Sequence, residues 1–431
     1  MKRELNTTLT MQVIQNTLFA GLMLGYGAVV AQTVTLDSCI AWAYQVQKFA
    51  ANRQLIRQGQ VLAMDNSGKM NLPSLVLDGT ATYQNENITI SVPPATGFEI
   101  PEVPLNFNRL LVNFNQTIYN GRLATHKKLI DSLAYDSKAY QLEVDKIKLK
   151  AKITSLYSSV ILLREQQQII SKQMATLEAK ARQLQGAIDA GVAYKSDMLN
   201  LRAEALNLQQ NRTDLEYLER SLRQQLAALT AHELSPATTF VLPEVAVTYT
   251  GVAARPELKL INSQQRLLMA RVSLSAASRQ PYVGVFGSVG VGYPGYDIFT
   301  PSVRPMALVG LKVKWQLIDW QKSRNERQLL QWDRDILTYQ YDRTKLQLEA
   351  ELIKQQQEIA KFEELITRDK EILQLRQEVT REVSARLSGG TATATDFIIQ
   401  VNNEAVAEIN RSIHLIKLTL AKINYTILQG D

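Results

Sequence analysis

Imidazole and thiol chemistry has little to work with in these 431 residues: three histidines, His126, His232 and His414, and one cysteine, Cys39. The histidines are scattered, no Cys/His pair has metal-ligand spacing, and there is no nucleophile elbow or phosphate loop. No enzyme activity, cofactor or metal is therefore expected, and the scattered acids read as solvated helix faces. The polar residues whose spacing does repeat lie in two short stretches. DAGVAYKSDM (189–198) and LSGGTATATDF (387–397) each place a Gly (Gly191, Gly390) six residues before an Asp (Asp197, Asp396), and an apolar run follows. Glycine readily takes the left-handed conformation that ends a helix, and a Ser, Thr or Asp side chain can cap the next one. The pattern predicts two tight helix-to-helix turns, with Ser196/Asp197 and Thr395/Asp396 as the caps.

The elements that hold these turns follow from proline. All twelve prolines lie within 73–104 or 236–305. An internal proline costs a helix about 3 kcal/mol, so the two proline-free spans are where long helix is possible. The first carries apolar residues at alternating steps of three and four (Leu149, Ile153, Leu156, Val160, Leu163, Ile170, Met174, Leu177, Leu184, Ile188), and the second repeats this more loosely from Leu348 to Leu387. A 3.5-residue period marks a coiled-coil seam. From Gly121 to Asp189 such a helix would have 69 residues and run roughly 100 Å. Each span therefore predicts a long antiparallel helical hairpin.

The proline-rich windows alternate instead. Leu75, Leu77, Gly79, Ala81 and Tyr83 oppose Val76, Asp78, Thr80 and Thr82; Val283, Val285, Gly287, Val289 and Val291 oppose glycines and Ser288. Leu110, Val112 and Phe114 then oppose Arg109, Asn113 and Asn115, and Val309, Leu311, Val313 and Trp315 oppose Gly310, Lys312 and Lys314. This suits a membrane barrel with a wet interior, but a soluble sandwich gives the same alternation and, on alternation alone, is the commoner source of it. The halves repeat: Pro73 and Pro281 lie 208 positions apart, Gln116 and Gln316 200, and Gly191 and Gly390 199. The 200 spacing pairs Phe114 with Lys314, a mismatch of face that a bulge would absorb. Two strands per half cannot close a barrel, and open edges are costly in lipid, so the chain is expected to assemble with copies of itself.

The N-terminus has Lys2 and Arg3, an apolar run over 18–30 and a small-residue site at Val29-Val30-Ala31. This reads as a signal peptide (1–31), too short for the ~20 residues of a spanning helix. The expected organisation continues with a first structural repeat over 32–232, a linker over 233–255 and a second repeat over 256–431. LDSC around Cys39 has the outline of a lipid-attachment box, but Asp37 is an unusual neighbour for one. The net charge of +7 is interleaved along the helices, so no nucleic-acid partner is expected.

Read in order, VTLDSCIAWA (34–43), NLPSLVLDGTATY, NQTIYNGR, RQPYVGVFGSVGVGY and QLIDWQKSR resemble the TolC-like outer-membrane efflux proteins of Gram-negative bacteria. The resemblance covers essentially 34–429, and it treats Cys39 as part of the first helix. It implies a mainly α fold with a transmembrane β-barrel portion: a homotrimer in outer-membrane lipid, giving four strands per chain to a twelve-stranded barrel and helical hairpins to a periplasmic tunnel. Such proteins are passive exit ducts of tripartite efflux or type I secretion systems, docking a periplasmic adaptor and an inner-membrane transporter. Carried over, the docking tips are Gly191, Val192, Ser196, Asp197, Arg386, Leu387, Ser388, Gly390 and Thr391, and Asp396 either lines the pore constriction, where three carboxylates would favour cations and repel anions, or caps its helix. Arg109, Lys312 and Lys314 would line the barrel lumen with positive charge, tilting it toward anionic cargo. Tyr83, Tyr119, Trp315 and Trp320 would form an aromatic girdle. Ala392 and Ile399 replace an arginine and an aspartate of the best-known member, so a salt-bridge lock is not expected and Asp197 lacks its usual partner; closure would rest on packing and helix twist. A periplasmic adaptor or coiled-coil scaffold is the rival reading, but an adaptor carries one hairpin and this chain repeats two.

Overall fold

The computed structural model describes residues 33–86, 102–191, 193–248 and 251–430. The expected signal peptide, Val192 and most of the first strand-to-strand loop lie outside them. In chain order the elements are β1 (Thr33–Val34), α1 (Leu36–Val46), α2 (Phe49–Gly68), β2 (Ser74–Tyr83), β3 (Asn106–Tyr119), α3 (Leu123–Asp189), α4 (Lys195–Thr230), β4 (Thr239–Phe240), α5 (Pro256–Ala277), β5 (Tyr282–Tyr293), β6 (Arg304–Lys314), α6 (Lys322–Ser388) and α7 (Ala394–Gln429). The chain is mainly helical with one four-stranded antiparallel sheet, and helix, strand, strand, long helix, second helix occurs twice.

The long helices α3 and α6 have 67 residues each, roughly 100 Å. Along α3 the 3.5-residue seam is buried at Leu149, Ile153, Val160, Leu163, Ile170, Leu177 and Leu184. The α6 seam is looser: Ile359, Phe362 and Leu387 are buried, but so is Asp369, whose carboxylate meets His414 Nδ1 at 2.6 Å. Helices α3 and α4 form one hairpin, α6 and α7 the other, and α3 also packs along α7.

The sheet has the order β2-β3-β5-β6. Helices α2, α3, α5 and α6 neighbour one another in the same order, because each strand runs directly into or out of one of them. Two consecutive left-handed residues turn β3 into α3 (Gly121, φ 68°; Arg122, φ 61°), and two turn β6 into α6 (Trp320, φ 51°; Gln321, φ 66°). Gly121 has a second reason to be glycine, since a Cβ there would fall 2.5 Å from the Ala277 carbonyl oxygen.

The strand register removes the mismatch expected between the halves. Gly79 faces Leu110, and Gly287 faces Val309. Leu110 and Val309 are 199 positions apart, the spacing of the turns, so the halves agree in face and Gln116 corresponds to Trp315. Matching the two glutamines was the error. A bulge does exist, at Ile118 where β3 of the first half pairs with β5 of the second, but the faces of the halves agree without it.

At mid-height β1 and β4 form a short parallel pair beside the largest apolar cluster, which includes Val34, Leu36, Cys39, Ile153 and Tyr157. The buried Tyr157 hydroxyl accepts from the Val241 amide (3.0 Å) and shares its proton between Val34 O (2.8 Å) and Val241 O (2.7 Å). Burial pushes its pKa up to about 12. Arg164 and Arg223 share the Glu219 carboxylate and donate to the carbonyls of Leu234, Pro236 and Thr238, fastening the segment between the halves. Cys39 is fully buried and its thiol is pushed up to about 12 by desolvation; lipid attachment there would require cleavage that removes β1.

Replacing Tyr157 by Phe strands buried backbone groups on both sides, which costs about 1–3 kcal/mol. The denaturant midpoint of Tyr157→Phe should fall accordingly; an unchanged midpoint would show that the hydroxyl holds nothing.

Candidate functional site

The helix breaks at the two tips share one backbone device. Gly191 (φ 75°) and Gly390 (φ 72°) are left-handed and have open space around them. The Gly191 amide donates to Ile188 O (2.9 Å) and the Gly390 amide to Leu387 O (3.2 Å). At the second tip the Thr391 amide also reaches Arg386 O (2.9 Å), completing a Schellman cap that satisfies the last carbonyls of α6.

The helix starts beyond the turns differ, and they correct the expected caps. Helix α4 begins at Lys195 after Tyr194, with no side-chain cap, so Ser196 and Asp197 lie inside its first turn. Helix α7 is capped by Thr393, not by Thr395 or Asp396. Thr393 Oγ1 accepts from the Asp396 amide (3.1 Å), while Asp396 Oδ2 accepts from the Thr393 amide (3.0 Å) and hydroxyl (2.7 Å). Asp396 is thus the returning arm of a capping box, because a carboxylate three residues into a helix can reach back to the cap amide. Those hydrogen bonds, with help from Arg386, hold its carboxyl below the usual carboxylate range. The carboxylate is exposed, so it still presents charge at the tip.

The two tips lie together. Ile170, Leu177 and Leu184 of α3, Leu201 and Leu208 of α4, Leu387 of α6 and Phe397 and Val401 of α7 form one apolar cluster, with Ala392 packed against it. Ser388 is exposed and Leu387 buried. Asp197 has no side-chain partner among the described residues, and Ile399 is 48% exposed. Polar ties missed in the sequence join the hairpins as well. Lys180, only 5% exposed, donates across to Ser384 O (2.7 Å) and Ser388 Oγ (2.7 Å), in the last turn of α6, where carbonyl charge is most negative. Burial lowers its pKa. Gln173 donates to Asn402, which donates to Glu204 Oε1 (2.9 Å). Lysines one step off the seam recur all along these helices, so spacing alone carries no signal for this one.

At the other end the register defines two faces. Leu77, Val112, Val289 and Ala307 form one row across all four strands, as do Leu75, Phe114, Gly287 and Val309. This face holds no charged strand residue. Its side chains are exposed: Leu75 71%, Leu311 73%, Val309 78%. The opposite face holds Arg109, Lys312 and Lys314, and also Arg304 and Asp78. It is glycine-rich because it is crowded; a Cβ at Gly290 would fall 2.0 Å from Leu110 O and one at Gly310 2.7 Å from the Phe286 ring. Tyr83 ends β2 at the sheet's far end, whereas Tyr119, Trp315 and Trp320 gather where the strands meet the helices. Trp315 Nε1 donates to Arg279 O (3.2 Å), and Trp320 is 89% exposed.

Among the described residues no helix is long and apolar enough to cross a membrane, and no acidic, His or Cys group could hold a metal ion. The sequence matches no known protein family and no curated protein. Solved structures match in fold. They include the outer membrane protein VceC of Vibrio cholerae (TM-score 0.72, 15% identity, 92% of this chain and 96% of that one). They also include CusC, studied for its folding and transmembrane channel formation (0.76, 11%, 92% and 92%), and the CmeC outer membrane channel of Campylobacter jejuni (0.72, 11%, 92% and 85%). At such identities the likeness is one of fold, and the chain has the fold of outer-membrane channels.

The capping box makes a pH prediction. A depressed Asp396 pKa stabilises the second tip at every pH above the unfolded value, about 3.9, and that contribution disappears only as pH falls through the lower folded value. Amide protection over 393–397, the exchange rate corrected for its intrinsic pH dependence, should be flat from neutrality to about pH 5 and fall below it. Thr393→Ala, losing about 1 kcal/mol of cap, should speed exchange there about fivefold; no change would remove the cap from the account.

Proposed function

We propose that this chain is a trimeric outer-membrane exit channel, the passive duct of a tripartite efflux or type I secretion assembly, and that its hairpin tips dock a periplasmic adaptor coupled to an inner-membrane transporter. The observation that carries the reading is the uncharged, exposed apolar face running unbroken across four strands. Strands of 10 to 14 residues are long enough to cross the hydrocarbon layer when tilted. A lipid-facing exterior opposite a polar, glycine-rich interior is the pattern of a membrane barrel.

Assembly follows from the edges. Among the described residues the outer edges of β2 and β6 have no strand partner, and lipid offers none, so β6 of one copy pairs with β2 of the next. The helices below repeat the arrangement. Trp332, Tyr339, Leu346 and Ile353 form an exposed stripe along α6 at steps of seven, and Leu55 and Leu62 are exposed on α2. Gln60 bonds Ser132 and Asp136 on α3, and the 199-residue repeat puts Trp332 and Tyr339 at that same height on α6. The stripes would meet between neighbouring copies, closing the tunnel wall beneath the barrel. Gly191, Val192, Ser196, Asp197 and 386–391 then form the docking rim, Asp396 borders the opening, and Tyr119, Trp315 and Trp320 sit at one lipid boundary with Tyr83 at the other.

Adjacent residues on opposite faces test the reading. An arginine facing mid-bilayer lipid costs about 2–4 kcal/mol, so Val289→Arg should abolish outer-membrane assembly while Ser288→Arg is tolerated. Equal tolerance of both would contradict a lipid-facing sheet.

A further inference from the structure

The inner face of the sheet carries charge in two separated bands. In the outer band Thr80, Arg109, Gly292 and Arg304 lie in one cross-strand row. Gly292 contributes no side chain between the arginines; the Met306 side chain and the stem of Arg109 lie over it. In the inner band Lys312 faces Gly284 and Lys314 faces Tyr282, so the last turn of β6 presents two ammonium groups where the barrel gives way to the helices. Asp78 is the one acid on this face among the strand residues, and its carboxylate accepts from Thr80 Oγ1 at 3.1 Å. None of the four cations forms an ion pair among the described residues. Asp297, in the loop between β5 and β6, is close enough to Arg304 to feel its charge, but it lies beyond the strands.

We propose that these bands make the barrel an anion filter, and that the exported solutes are anionic or carry an exposed carboxylate, phosphate or sulfonate. The inference rests on the channel reading. Three copies would bring twelve cations against three Asp78 carboxylates, in two collars around one lumen. Unpaired cations on a narrow, glycine-lined wall raise the local anion concentration, as arginine and lysine rings do in anion pores. The arginine collar can grip a carboxylate or phosphate in two-point fashion, while the lysine collar acts as a set of point charges. The exposed carboxylate at the other end, Asp396, adds one anion per copy beside Arg386, against four cations per copy on the barrel wall.

The test is the reversal potential of the mature full-length channel in planar bilayers under a KCl gradient. Wild type should favour Cl⁻ over K⁺. Lys312→Glu with Lys314→Glu should lower that permeability ratio at least about threefold, toward cation preference, while Asp396→Asn leaves its sign unchanged. The milder Lys312→Gln/Lys314→Gln pair serves should the acidic variant not assemble, and should shift the ratio the same way. Stable pores that prefer K⁺, or that ignore both lysine variants, overturn the filter and leave the channel reading intact. A chain that forms no pore in any lipid overturns both.

Discussion

A sheet that is apolar and uncharged on one face and open at both edges satisfies neither water nor lipid alone. In water it exposes Leu75, Leu77, Val309 and Leu311 side by side; in lipid the bare edges of β2 and β6 leave backbone groups unpaired. Lipid on the face and further strands on the edges remove both penalties together. The rest of the molecule fits this constraint: four helices take the order of the four strands, and the strand-to-helix turns are placed identically in each half.

That repeated spacing explains the tips. Helices of equal length starting from equivalent strands must end at equal depth, so two breaks meet and bury one apolar cluster. A left-handed glycine stops each helix without interrupting packing, since its turn projects into open space. The tips are not equivalent, however. The second has a capping box at its helix start; the first has an uncapped helix start, and Lys180 ties it to its neighbour. Buried hydrogen bonds from Lys180 and Gln173 thus add to the apolar packing that joins the two tips.

Much of this was legible in the sequence because it rests on periodicity. Alternation put the quoted residues within the four strands on their observed faces, Trp315 falling just beyond β6, and the proline-free spans marked both long helices. What failed rests on choices between similar residues. Thr391, Thr393 and Thr395 are alike in a linear reading, and only Thr393 lies three residues before Asp396, the spacing a capping box needs. Gln116 and Gln316 match by type, but the strand register sets the repeat at 199 positions, which makes Trp315 the equivalent of Gln116. Arg304 escaped notice because it begins its strand, where alternation is hardest to read. Lys180 and its serines are 204 and 208 positions apart, and no local pattern announces a contact between separate hairpins.

The central claim is that one copy's outer edge is completed by another's. With Cys39 buried and inert, a chain carrying Leu62→Cys and Trp332→Cys offers two reactive thiols, one on each proposed side of the seam. Mild oxidation of the assembled protein in the outer membrane should yield a covalent ladder that ends at three chains. A product that never exceeds one chain, from protein that is soluble and monomeric without detergent, would contradict the account.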